Sequence, residues 1–333
     1  MAYIKKTVLL SFLLFSMMGI DAQTADENSN ITSMNQSTKE FAEFPDLPGR
    51  SDLSVNDPGD ENMNPYALIA GGSKGIGFAA ATALAQAGAS VVVVARDATE
   101  LIAACARINC RSSLKISEID SFGPQEGTAN AAAPASYKAL DVTDSAAVTA
   151  WVEEDIAANG PFDVLVSNAG TNRPATLAEL EDADLDAVLD LYIKAAFYVA
   201  RAVARGLLAA NDGRGMPGSI IALSSQMGHV GGPRRTVYCA SKHAIEGMTK
   251  ALAWELGRHQ IRVNTICPTY IETPMTAPML ADPAFRAFAE NGTALGRVGR
   301  IEEVMGAVVF LASDASTLVT GSALMLDGGW TAH

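Results

Sequence analysis

From Tyr66 onward, short apolar runs of strand length alternate with longer segments of helical period. YALIA at 66–70 and SVVVVA at 90–95 are continuous apolar runs. They bracket a glycine-rich turn, GGSKGIG, and a helix, FAAATALAQAG, that stops at a glycine. Further strands are predicted in YKALDVTD, FDVLVSNAG, SIIALS, IRVNTIC and SALML. Helices are predicted over about 144–158, in LDLYIKAAFYVARAV, from Thr236 through ALAWEL, and in IEEVMGAVVFLASD. Strands apolar on both faces and separated by helices belong to an α/β layer architecture with a buried sheet.

The segments before and between these elements break the pattern. Residues 1–22 start with Lys5 and Lys6, run through VLLSFLLFSMMGI and reach Ala22, the parts of a secretory signal peptide cut after Ala22. The apolar run is too short to span a bilayer, so the mature form is expected to have no membrane span. The alternative is a cytoplasmic protein whose translation starts near Met63. Residues 23–63 are polar and aperiodic and read as a disordered linker ahead of a domain over 64–333. Residues 106–136 read as an inserted loop, polar and rich in glycine and proline, where a short crossover belongs. PMTAPMLADPAFRAFAENGTALGRVG reads as a helical lid.

Composition narrows the function classes. A hydrophobic content of 49% with 18% charged residues fits a well-cored globular protein. The net charge of −13, with no basic stripe, disfavours a nucleic-acid partner. Cys105, Cys110, Cys239 and Cys267 show no CxxC pair and read as free, mostly buried thiols. No metal-ligand spacing stands out.

Candidate chemistry falls on two stretches. Gly71, Gly75 and Gly77 lie between a strand and a helix, where missing side chains let the backbone approach a pyrophosphate at a helix N-terminus. Ser73, Lys74 and Ile76 belong to the same turn. The end of the second strand holds Ala95 and Arg96 instead of a carboxylate, which with Lys74 favours NADP(H); Asp97 keeps NAD(H) open. Asp141 and Val142 end the third strand on the adenine side. Asn168, Ala169 and Gly170 end the fourth, the small residues admitting a ribose and Asn168 pinning neighbouring strands. The second stretch is SSQMGHVGGPRRTVYCASK. Tyr238 and Lys242 are four residues apart and share a helix face, and Ser225 stands at a strand end, 13 residues before Tyr238. A buried ammonium beside a phenol is expected to lower its pKa.

In AGGSKGIG, SNAG, Ser225 with YCASK, and LDGGW, residues 66–333 resemble the short-chain dehydrogenases/reductases. The resemblance implies a doubly wound, mostly parallel seven-stranded Rossmann sheet, a small-molecule substrate, and a homodimer or homotetramer. It implies that Ser225 polarises the substrate oxygen and Tyr238 transfers the proton. Lys242 would tune the phenol and hold the nicotinamide ribose, with Pro268, Ile271 and Thr273 near the nicotinamide. The sequence departs from the family at Tyr192, where many members carry a proton-relay asparagine; slowed proton exchange follows if the relay must run differently. Lesser departures are Ala70 and Thr269. His229, Arg234 and Arg235 precede the tyrosine, where cations meet a substrate carboxylate or lie on a solvated loop or subunit interface. The lid and tail are similar to those of gluconate 5-dehydrogenase-like members. The expected reaction is secondary alcohol to ketone on a sugar, sugar acid or similar polar hydroxy compound. The alternatives are a 3-oxoacyl thioester reductase and a nucleotide-binding protein with impaired turnover.

Overall fold

The computed structural model describes residues 64–112, 134–213 and 217–333. The leader and linker expected over 1–63, and residues 113–133 of the expected insertion, lie outside the described residues.

The strands are β1 (Tyr66–Ala70), β2 (Ser90–Ala95), β3 (Ser136–Ala139), β4 (Val164–Ser167), β5 (Gly218–Leu223), β6 (Ile261–Pro268) and β7 (Ala323–Leu326). They form one sheet of order β3-β2-β1-β4-β5-β6-β7, every neighbouring pair parallel. The helices are α1 (Gly75–Gln86), α2 (Ala98–Ser112), α3 (Ser145–Asn159), α4 (Asp182–Leu189), α5 (Ala195–Gly213), α6 (Thr236–Leu256), α7 (Ala277–Leu280), α8 (Pro283–Asn291) and α9 (Glu302–Ala312). A π-helical turn, Asp190–Lys194, joins α4 to α5.

The doubly wound form follows from the apolar pattern. In β2, alternation sends Val91 and Val93 to one face and Val92 and Val94 to the other. The first face packs on Leu84 of α1, Leu101 and Ile108 of α2, and Val308 and Leu311 of α9. The second packs on Val152 of α3, Val199 and Val203 of α5, and Leu256 of α6. Each such side chain, fully buried, contributes roughly 1.5–3 kcal/mol. Each face of the sheet thus has its own apolar core beneath a layer of helices.

The insertion starts later than its composition indicates. Residues 106–112 continue α2, because Leu101, Ala104, Cys105 and Ile108 recur at helical spacing and are buried against the sheet. The lid is two short helices, α7 and α8, the second capped by Asp282, whose carboxylate accepts from Ala284 N at 2.9 Å. No helix among the described residues is long and apolar enough to cross a membrane.

Candidate active site

Strand order reverses between β1 and β4, so the loops leaving their C-terminal ends part and open a crevice. Gly71, at φ +77°, lies so close to β4 that a Cβ there would stand 2.6 Å from Ala169 Cα. A Cβ on Gly77 would stand 2.2 Å from Gly71 O and 2.5 Å from Asn168 Nδ2. Asn168 Nδ2 donates to Gly71 O at 2.8 Å, tying the end of β4 to the glycine turn. No side chain caps the start of α1 at Lys74, which leaves its first amides and positive end for an anion. Thr273 Cβ lies 3.9 Å from where a Cβ on Gly75 would be, so the segment after β6 reaches over the turn. Such a cradle, closed to any Cβ and electropositive at one end, fits a dinucleotide pyrophosphate.

The adenosine side holds fewer free charges than its sequence indicates. Lys74 Nζ is 2.9 Å from Glu100 Oε1, and Ser73 Oγ donates to Glu100 Oε2 at 3.0 Å. The Lys74 and Ser73 hydrogen bonds hold the Glu100 carboxyl below its ordinary range. Asp97 Oδ1 accepts from the amides of Thr99 and Glu100, at 2.8 and 3.0 Å, and so opens α2. Arg96 is exposed beyond β2. Burial raises the Asp141 carboxyl, but hydrogen bonds from Thr143 and the charge of Arg96 outweigh it and hold the group low. Ile76 packs against the first core and Val142 within the second.

Beyond the crevice lies a cavity of about 110 Å³, lined by Ser225, Tyr238 and Tyr192, by Asn172, Gln226, Arg235 and Thr269, and by Met227, Met275 and Met279. Ser225 follows β5 and is buried; its Oγ accepts from Met227 N at 3.1 Å and lies 3.4 Å from Pro268 O. Ile271 is buried beside Gly299. Tyr238 and Lys242 sit one turn apart on α6, as their spacing requires.

The electrostatics correct one expectation. Burial pushes the Tyr238 phenol up, and the Ser225 hydrogen bond and Arg235 charge only partly oppose it. Lys242 Nζ donates to Leu223 O at 2.6 Å and lies 4.3 Å over the Tyr192 ring and 5.6 Å from that of Tyr238. Burial lowers the Lys242 ammonium to about 7. The cation is spent on a carbonyl and on Tyr192, not on the phenol.

Two of the three loop cations also lie elsewhere. Arg234 adopts φ 60°, and its guanidinium is 3.8 Å from Glu179 with both side chains exposed. His229 Nε2 lies 3.5 Å from Glu246. Arg235 alone of the three lines the cavity, with Nη1 donating to Asn172 Oδ1 at 2.8 Å and Nη2 3.4 Å from Met279 Sδ.

The site also contains residues that the motifs did not mark. Gln226 Oε1 and Thr269 Oγ1 are buried with no hydrogen-bond partner among the described residues, and both residues line the cavity. Thr269 stood out only as a departure from a glycine. Tyr192 sits in the π-helical turn; its hydroxyl accepts from Thr171 N at 3.0 Å and donates to Thr171 O. Its ring occupies the space a Cβ on Gly170 would need, 2.9 Å away. At the position where many family members carry a relay asparagine, the side-chain hydroxyl is held by main chain.

Comparison with known proteins matches residues 65–126 to the short chain dehydrogenase family and residues 124–331 to the family described as Enoyl-(Acyl carrier protein) reductase. The chain belongs to the short-chain dehydrogenase/reductase family. It is 37% identical to gluconate 5-dehydrogenase of Gluconobacter oxydans, over 80% of this chain and 94% of that one. It is 36% identical to a 3-oxoacyl-acyl-carrier-protein reductase of Thermotoga maritima, over 79% of this chain and 96% of that one. Among solved structures, a gluconate 5-dehydrogenase from Burkholderia cenocepacia in complex with NADP and tartrate superposes with a TM-score of 0.71 at 32% identity, covering 82% and 97% of the two chains. Residues 1–64 fall outside both family matches. As a member of this family the protein is an oxidoreductase acting on CH–OH groups.

Proposed function

We propose that the protein interconverts a secondary alcohol and a ketone on a polyhydroxy carboxylic acid, with NADP(H) as hydride carrier. Ser225 donates to the substrate oxygen, and Tyr238 gives that oxygen its phenolic proton in reduction and takes it back in oxidation. Lys242 and Asn168 hold the crevice wall, and Gly71, Gly75 and Gly77 admit the pyrophosphate. When bound, the nicotinamide supplies or accepts the hydride.

One observation carries the substrate class: Arg235 lines the cavity, with Nη1 held by Asn172 Oδ1 at 2.8 Å. A guanidinium matches a carboxylate. A gluconate 5-dehydrogenase among the relatives supports this reading, as does a solved member holding tartrate. Arg235→Met is expected to raise the Michaelis constant for keto-sugar acids about tenfold or more, whereas Arg234→Ala leaves it unchanged. Steady-state kinetics on both variants check this, and an unaltered constant in Arg235→Met contradicts it. A 3-oxoacyl thioester is the second reading, favoured by the apolar wall of Met227, Met275 and Met279. A higher kcat/KM on such a thioester than on every sugar acid selects it.

Phosphate recognition is assigned to Arg96, since Asp97 is committed to opening α2 and Lys74 is paired with Glu100. Arg96→Ala is expected to weaken NADPH about tenfold relative to NADH. Glu100→Gln, by releasing Lys74, tightens NADPH about two- to fivefold. Fluorescence titration of both cofactors measures both effects, and equal losses for NADPH and NADH in Arg96→Ala contradict the assignment.

A homodimer or homotetramer is proposed on the exposed Trp254 of α6 and Phe197 of α5, with light scattering as its test. A leader removed after Ala22 is proposed on its charge and apolar pattern, against a start near Met63. N-terminal sequencing of the mature protein decides between them.

A further inference from the structure

We propose that His229, Glu246 and Cys267 form a binding site for a zinc-class divalent cation beside α6, one helical turn beyond Lys242. Three separations carry the inference. His229 Nε2 lies 3.5 Å from Glu246 Oε1, Cys267 Sγ lies 3.6 Å from His229 Nε2, and Cys267 Sγ lies 3.3 Å from Glu246 Oε1. A tetrahedral ion with bonds of about 2.3 Å to sulfur and about 2.0–2.1 Å to nitrogen and oxygen requires ligand separations of roughly 3.3–3.6 Å. The three atoms thus form one face of such a tetrahedron without movement, and all lie within 4.8 Å of one another.

The surroundings favour a cation. Glu246 and Cys267 are buried, and among the described residues no lysine or arginine forms an ion pair with Glu246. Its nearest basic neighbour is the His229 imidazole, and the buried Lys242 ammonium interacts with Glu246 and Cys267 from beyond ion-pair distance. A carboxylate so buried is costly unless a positive charge meets it. Thr265 Oγ1 donates to the other carboxylate oxygen, Glu246 Oε2, at 3.1 Å and fixes its direction, the outer support that metal-bound carboxylates use. Ser224 Oγ is buried next to the Cys267 thiol. It lies beside Glu246, the two side chains flanking the space where a Cβ on Gly228 would be, at 2.8 and 3.2 Å. The His229 side chain is 30% exposed and gives solvent, and a fourth ligand such as water, access to the ion. A set of imidazole, carboxylate and thiol selects zinc or cobalt over magnesium or calcium. Binding displaces the thiol proton to solvent, leaving the thiolate as ligand.

The test uses full-length, tag-free protein stripped of metal with a chelator and titrated with cobalt(II), followed by zinc competition. A stoichiometric cobalt complex is expected, with a thiolate-to-cobalt charge-transfer band in the near ultraviolet, the visible bands of a four-coordinate ion, and displacement by zinc. Cys267→Ser should abolish the charge-transfer band, and His229→Ala should weaken binding by about 100-fold. Cys110→Ser, on the exposed side of α2, should change neither. Circular dichroism establishes that each variant is folded. A titration of the wild type without the charge-transfer band overturns the proposal and leaves a hydrogen-bonded triad, as does a band that survives in folded Cys267→Ser.

Discussion

Replacing Tyr238 with phenylalanine is expected to lower kcat by about 10²- to 10⁴-fold, the range a positioned proton donor contributes, and to leave NADPH binding nearly unchanged. The phenol lines the cavity and is hydrogen-bonded to Ser225, and its ring packs edge-on to Tyr192 at a centroid distance of 5.4 Å. Phenylalanine keeps that packing and loses only the hydroxyl. Because burial holds the phenol above its ordinary value, it is protonated at neutral pH, a state ready for reduction. Oxidation begins from the phenolate and should therefore accelerate as pH rises above neutrality. Single-turnover kinetics in both directions checks this; turnover within about threefold of wild type in the variant contradicts the role.

Lys242→Met is expected to be inactive yet more stable. The ammonium is almost fully buried, and burial lowers it to about 7 from lysine's ordinary 10.5. Between those values the unfolded chain binds more protons than the folded one, so wild-type stability rises with pH across this window. Below about 7 the folded protein bears the full cost of burying a charge. Methionine removes that cost, and the loss of the Leu223 hydrogen bond offsets part of the gain. A net gain of about 1–3 kcal/mol is expected near pH 6, shrinking as pH rises toward lysine's ordinary range. Turnover should fall about 10²-fold or more as the crevice wall loses the Lys242 hydrogen bond to Leu223 O and the site is mispositioned. Denaturant titrations at several pH values measure the first effect, and a variant less stable than wild type at pH 6 contradicts it.

How much of this was legible in the sequence depended on whether local pattern or three-dimensional closure set the feature. β1, β2 and β5 could be read because buried parallel strands are mostly apolar and end at glycine, proline or polar turns. The Tyr238 and Lys242 pair could be read because helical spacing alone puts both on one face. Asn168 likewise makes the strand-pinning bond its position indicated. Arg234 and Arg235 could not be told apart, since the positive φ at Arg234 turns two adjacent side chains in different directions. The phenol's environment was misread because spacing gives the direction of Lys242 but not the Leu223 carbonyl that accepts its hydrogen bond. Gln226 and Thr269 gave no motif, because an unsatisfied polar atom is visible only once the walls around it are in place. The end of α2 was visible as a buried period through Ile108 but was masked by the polar composition that follows.

The most direct test of the account follows one hydrogen. With NADPH carrying deuterium at C4 of the nicotinamide and a panel of keto-sugar acids, mass spectrometry should find the deuterium on the new carbinol carbon of the product. Labelled product should form about 10²- to 10⁴-fold more slowly with Tyr238→Phe, and the uncharged keto-sugar analogue should react about tenfold less efficiently. Wild-type protein that binds NADPH yet transfers no deuterium to any keto-sugar acid in the panel contradicts the account.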